Sequence, residues 1–312
     1  MPMRWRAAAT GLGLVFALGL TAWALHGQFG EITLASVNAA ARAQPASRLA
    51  AAIGLTALSF FCLALYDVVG ARVVAALRVP IGTALLAGAT ANAVSNTLGF
   101  HALTGSVVRA YVYRRSGLTK TDVARIVSLA WLALGLGFVT MFAAAELVRS
   151  TSGGHPMAPL LFGASIATGL SIFVIWLAGG RRQVSVFGFR QPMPSACLAL
   201  LQMGFGAVES AAAIGALYVL LPADLAPPFS VFAVGCIAAV ALGVVSHAPG
   251  GIGVFEASMT AMLAGAGRAD LLAALLVYRA IYNLLPFALS VVALSLPSFK
   301  RRGGVNSMAG TC

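Results

Sequence analysis

The chain has 312 residues, of which 60% are hydrophobic and 9% charged, with a mean hydropathy of +0.93. This balance excludes a soluble globular domain and a disordered chain, and the repeated runs of roughly 20 uncharged residues have the length of a bilayer-spanning helix. The net charge of +12 does not signal nucleic-acid binding, because the basic residues fall in short clusters between apolar runs, as in loops facing the cytoplasm and anionic lipid.

In chain order, the basic start Arg4-Trp5-Arg6 precedes Ala7–Leu25. That run is longer than the core of a signal peptide, so an uncleaved first span with a cytoplasmic N-terminus is expected. A second span is expected over Leu49–Val69, and Arg72–Arg78 reads as a short amphipathic stretch at the interface. The next apolar stretch, Ile81–Val108, is rich in glycine and alanine and carries Asn92, Ser95, Asn96, Thr97, His101 and Thr104. Arg72 and Arg78 precede it; Arg109, Arg114, Arg115, Lys120 and Arg125 follow it. A segment that enters and leaves on one face keeps both clusters cytoplasmic, so a re-entrant hairpin is expected. An ordinary span packed through small residues is the alternative.

Spans over Ile126–Val148 and Ala158–Ala178 come next, then Arg181, Arg182 and Arg190. Two more are expected over Ser195–Leu221 and Phe229–Val245, joined by a turn containing Pro227-Pro228. A Pro-Gly-Gly break follows, then an apolar run to Ala264 and a last span over Asp270–Leu296. The positive-inside rule favours a break that crosses the membrane, because Lys300, Arg301 and Arg302 then lie in the cytoplasm with the C-terminus. The expected fold is an all-α polytopic integral membrane protein with about eight transmembrane or re-entrant segments. Residues 1–298 form one membrane domain and 299–312 a short polar cytoplasmic tail.

The break is the most informative feature. Proline removes a backbone donor and glycine loosens a helix, so Pro249, Gly250, Gly251 and Gly253 mark irregular backbone that must be buried or line a watery cavity. Glu256 follows directly and is expected at the wall of that cavity; a structural pair with Arg279 is the alternative. Shifting the chain by 148 residues aligns Gly105 with Gly253, Gly117 with Gly265 and Asp122 with Asp270, and sets Lys120 opposite Arg268. Both windows follow a broken apolar segment and precede a long span, the mark of a transporter built from two related halves.

Few other ionisable residues fall in apolar runs. Glu209 lies halfway along its span, where a carboxylate is costly and usually functional; a structural pair with Arg279 or Arg109 is the alternative. Asp67 reads as a pathway residue, or as solvated or paired with Arg72. Arg279 has snorkelling as its alternative, and Arg109 is placed to meet a phosphate entering from the cytoplasm. Glu146 reads as interfacial, and His101 and His247 as hydrogen-bonding residues. Cys62, Cys197, Cys236 and Cys312 have no metal spacing, and no catalytic or nucleotide-binding signature is present. No enzyme, metal or cofactor is expected.

His247-Ala-Pro-Gly-Gly-Ile-Gly-Val-Phe-Glu256, followed by Tyr278-Arg-Ala-Ile-Tyr-Asn-Leu-Leu-Pro286, resembles the end of the lysylphosphatidylglycerol synthase transmembrane region. The run from Asn96 through Gly105 and Arg109 to Gly117-Leu118-Thr119 is similar to that family's other characteristic segment. The family includes the flippase half of the bacterial multiple peptide resistance factor and stand-alone membrane proteins, and the resemblance covers roughly residues 5–298. It implies translocation of a lipid from the inner to the outer leaflet of the cytoplasmic membrane. It also implies that Asp67, Arg109 and Glu209 resemble the charged residues linked to flipping. Full-length relatives carry a soluble aminoacyltransferase domain after this region; the residues beyond the last span here are too few for one, so no synthase activity is expected. The expected partners are membrane lipids, anionic or aminoacylated phospholipids among them, and a second copy of the chain. The alternatives are a non-transporting scaffold or regulatory subunit, and a carrier of a hopanoid or polyprenyl-linked lipid.

Overall fold

The computed structural model describes residues 33–75, 78–99, 101–152, 157–180, 183–186, 189–246 and 249–296. The expected first span, His247, the cluster at 300–302 and the polar tail lie outside the described residues, as does the His101 side chain. The protein is an all-α integral membrane protein with five helices long and apolar enough to cross a bilayer. A short helix, α1 (Leu34–Arg42), capped by the Thr33 hydroxyl, precedes the first of them, α2 (Ala46–Ala75). Then come α3 (Ile81–Leu98) and α4 (His101–Tyr113), the long spans α5 (Lys120–Ser152) and α6 (Met157–Ala178), and a small two-stranded ribbon of Gln183–Val186 and Phe189–Pro192. α7 (Ala196–Tyr218), capped by Ser195, is the next span.

Glycine turns the chain between α3 and α4: Gly99 has φ 76°, which ends one helix and starts the next in reverse. The two arms lie side by side. Thr104 donates to the Ser95 hydroxyl at 3.1 Å and to the Gly99 carbonyl, while Ala84 and Ala87 share a core with Val112 and Tyr113. Ile81–Tyr113 is therefore a helical hairpin whose two ends lie together beside Ala75 and Val123. The capping pair at the start of α5, Thr119 to the Asp122 amide and Asp122 to the Thr119 amide, then launches the next span.

A second hairpin follows α7. α8 (Phe229–Val245) runs inward, a turn at Pro249–Gly251 reverses the chain, and α9 (Val254–Met262) returns along it. Gly243 abuts Gly251, Gly235 abuts Met262, and Leu263 shares a core with Phe232. This corrects the expectation that Phe229–Val245 spans and the break crosses. The 17 residues of α8 extend about 25 Å, short of the roughly 30 Å hydrocarbon core. Three glycines with positive φ (Gly250, Gly251 and Gly253) let the backbone double back.

The last helical run comprises α10 (Ala269–Arg279), a π turn (Ala280–Leu284) and α11 (Leu285–Ser295). Pro286 opens α11 without a backbone donor, and the widened turn before it absorbs the lost hydrogen bond. Leu294 ends beside Val79 and Val123, the same end as the open side of the first hairpin. The second hairpin opens at the other end, where Gln44 and Arg48 donate to the carbonyls of Leu220 and Leu221. The chain thus places two hairpins at opposite ends of one bundle. A shift of 148 residues carries α2 onto α7, the first hairpin onto the second, and α5 onto the last run. Each set is a span, a hairpin and a span, in opposite orientation, as in an inverted-topology repeat.

Candidate functional site

Small residues bring the helices close enough to bury charge. A Cβ on Gly88 of α3 would meet the Ala64 backbone at 2.8 Å and the Asp67 side chain at 3.0 Å. Gly137 of α5 and Gly206 of α7 abut so tightly that a side chain on either would strike the other's backbone.

Asp67 lies on α2 with 0% exposure, and Arg109 on α4 with 4%. Arg109 Nη2 donates to Asp67 Oδ2 at 2.7 Å, Nε donates to Oδ1 at 2.9 Å, and the Tyr113 hydroxyl adds a bond to Oδ1 at 3.0 Å. Asp67 is thus neither solvated nor paired with Arg72. Its carboxylate neutralises Arg109 instead and occupies one edge of the guanidinium. The rest of Arg109 lines a cavity of about 20 Å³ with Tyr66, Asn92, Ser95, Ala130, Trp131 and Leu134.

Trp131 also belongs to a larger groove of about 740 Å³ between α4 and α5. Ser106, Ala110, Val123, Ala124, Val127 and Ser128 line it, and Lys120 stands at one end. Lys120 and Trp131 are eleven positions apart on α5, about 16 Å along the helix axis. Its lining is mostly apolar, with Lys120 toward the start of α5, Ser128 and Trp131 further along that helix, and Ser106 on α4.

Glu209 sits on α7, 3% exposed. It meets neither Arg109 nor Arg279. Ser59 donates to its Oε1 at 3.1 Å, Tyr282 to the same oxygen at 3.4 Å, and Ser210 to Oε2 at 3.2 Å. Ser59 and Tyr282 are themselves 2.9 Å apart.

Glu256 pairs with Arg279, whose Nε donates to Oε1 at 2.7 Å, while Oε2 accepts the Gly253 amide. Arg279 stacks over Phe255 and donates from Nη1 to the Gly250 carbonyl at 2.6 Å. It does not snorkel: the pair stitches the turn of the second hairpin to α10. Four residues on, Asn283 Nδ2 donates to the Asn96 carbonyl at 2.9 Å and the Thr97 hydroxyl donates to the Asn283 carbonyl at 3.0 Å. The tips of both hairpins and the π turn therefore meet in one junction.

At the far end Arg268, just before α10, clasps Asp224 at 2.7 Å and Asp270 at 2.7 Å. The hydrogen bond from Arg268 holds the Asp224 carboxyl below its ordinary value.

Residues 11–290 match the family model for the lysylphosphatidylglycerol synthase TM region. The chain belongs to that family. It is 27% identical over 298 residues to the uncharacterized protein slr0712 of Synechocystis sp., covering 92% of this chain and 88% of that one. It is 28% identical over 252 residues to the inner membrane protein YbhN of Escherichia coli, covering 78% of each chain.

Within this member of the lysylphosphatidylglycerol synthase transmembrane region family, the five charged residues singled out in the sequence divide into three buried groups. Tyr113, Ser59, Tyr282 and Asn283 complete those groups and were not singled out. A buried Tyr or Ser has no distinctive spacing; only the polar content of Tyr278–Asn283, inside an apolar span, could have pointed to the last two.

Proposed function

We propose that this protein is a lipid flippase of the cytoplasmic membrane, moving an amphipathic lipid from the inner to the outer leaflet without aminoacyltransferase activity. The observation that carries this is the groove between α4 and α5 with the Arg109 chamber at its end. Acyl chains suit the apolar walls and a phosphate suits Lys120 at the groove; the Arg109 cavity, about 20 Å³ and sharing Trp131 with the groove, must widen before a phosphate reaches the guanidinium. The basic residues Arg72, Arg78, Arg114, Lys120, Arg125 and Arg190 cluster at the end where the first hairpin opens, which makes that end cytoplasmic under the positive-inside rule.

The inverted halves supply a route to the other leaflet. The shift of 148 carries Lys120, Val123, Val127 and Trp131 onto Arg268, Leu271, Leu275 and Arg279. In the second half this surface is filled: Leu271 and Leu275 are 0% exposed and pack with Phe255, Met259 and Leu263. One groove is open and its counterpart closed, as in one state of an alternating carrier. The inner-membrane location of YbhN agrees with this setting.

The test is leaflet exchange of labelled phosphatidylglycerol, aminoacylated phosphatidylglycerol and a polyprenyl-linked lipid in vesicles holding the purified protein. Acceleration of one or more over empty vesicles is expected, and the preferred lipid names the cargo class. No acceleration for any of them would leave the scaffold reading in its place.

A further inference from the structure

Four carboxylates are buried among the described residues, and three have an arginine: Asp67 with Arg109, Glu146 with Arg149, Glu256 with Arg279. Glu209 has none. Its partners are hydroxyls alone, from Ser59, Ser210 and Tyr282. The titratable groups facing it are Cys62 and Tyr66 of α2 and Tyr278 and Tyr282 of the last helical run, none of them cationic. An isolated carboxylate in such surroundings is far costlier as the anion than as the neutral acid. Hydroxyls fit both forms, since they donate to an anion and accept from an acid; an arginine would have fixed the anion.

Two further observations make this a site and not a burial accident. First, polar atoms continue along the seam between α2 and α7. The Tyr66 hydroxyl, both polar atoms of the Gln202 side chain and the Thr56 hydroxyl are buried without a protein partner. Gln202 and Glu209 are seven apart on one helix, Ser59 and Tyr66 seven apart on the other, so each pair shares a face. Second, the carboxylate touches the π turn of the last helical run through Tyr282. Tyr282 lies in the π turn between Arg279, which holds the tip of the second hairpin, and Asn283, which holds the tip of the first.

We propose that Glu209 is a proton-binding site that couples transport to the proton gradient, its charge state read by the π turn through Tyr282. The step is one proton joining the carboxylate to give the neutral acid, taken from water on one face and returned to water on the other. This deepens the flippase reading and rests on it.

The experiment separates the two. Infrared difference spectra of the full chain in phosphatidylglycerol vesicles, taken between about pH 5 and 9, the range into which burial moves carboxylates, report protonation without any need for transport. A carboxylic acid band that disappears with rising pH in the wild type and is absent in Glu209→Gln is expected. Tyr282→Phe, which keeps the ring, should retain the band and titrate at a different pH. In the same vesicles a pH gradient should change the exchange rate of labelled phosphatidylglycerol severalfold in the wild type and leave Glu209→Gln unaffected, while a sodium gradient at equal pH has no effect. No titrating band lost in Glu209→Gln, gradient-sensitive exchange in that variant, or a response to sodium each overturns the proposal. A titrating band with no exchange of any lipid supports proton binding at Glu209 and overturns the transport reading.

Discussion

Arg109 meets Asp67 through two of its three guanidinium nitrogens, so removing either partner strands a charge inside the bundle. Asp67→Asn or Arg109→Ala should each cost about 3–5 kcal/mol, seen as a lower melting temperature and folded yield in detergent. Asp67→Asn combined with Arg109→Gln removes both charges and should recover much of that yield. Lipid exchange should stay lost in the pair, because the phosphate partner is gone; recovery of exchange would make Arg109 purely structural. Glu256→Gln should follow the first pattern, with lost folded protein through the stranded Arg279. The charged residues of these groups were legible in the sequence because a charge within an apolar run needs a reason. The pairing of Asp67 with Arg109 was not, since the two are 42 residues apart and meet only where Gly88 packs against α2; that of Glu256 with Arg279 stood as an alternative and is what the structure shows.

Between elements, the contact of Gly137 with Gly206 fixes how closely α5 approaches α7, and Gly206 also lies against the Tyr66 hydroxyl. Gly206→Ala should separate the helices and destabilise the protein by about 1–3 kcal/mol, read from thermal unfolding in detergent. In the second hairpin, Gly250 has φ 60° and a Cβ there would sit 3.0 Å from the Thr97 carbonyl. Gly250→Ala should therefore cost about 1–2 kcal/mol through backbone conformation alone, and it also strains the contact between the tips. Exchange should fall further than folded yield. The first hairpin was legible because basic clusters on both sides demanded a return to one face. The second was not, because α8 is apolar and the basic residues at 300–302 favoured a break that crosses. Its fold-back depends on small residues: Gly243 receives the turn at Gly251 and Gly235 receives Met262 of α9.

Across the whole molecule, the two halves differ in one state: the groove beside α5 is open, its counterpart beside α10 filled. The faint sequence echo was a true guide to this architecture at the helix starts, where Asp122 and Asp270 occupy the first turns of α5 and α10. It misled at Gly105 and Gly253, one inside a helix and the other before one. Over the filled groove, Arg268 ties Asp224, from the turn before the second hairpin, to the start of α10. Because Arg268 lowers the Asp224 pKa, the carboxylate's contribution is complete above its unfolded value of about 4 and is lost only as pH falls through the lower folded one. Mild acidification therefore leaves the tie closed, whereas Arg268→Ala removes it at every pH. Leu271→Cys, 0% exposed in the wild type, reports the outcome through a membrane-impermeant thiosulfonate added from outside. Labelling, normalised at each pH to that of a freely exposed cysteine because the thiolate is the reacting form, should be slow and equal at about pH 5.5 and 7.5, well above the carboxylate range, and rise severalfold with Arg268→Ala. Such an exposed tie contributes little to folding stability, so the melting temperature should barely move. Unchanged labelling in Arg268→Ala would mean that packing of Leu271 and Leu275 alone keeps that groove filled.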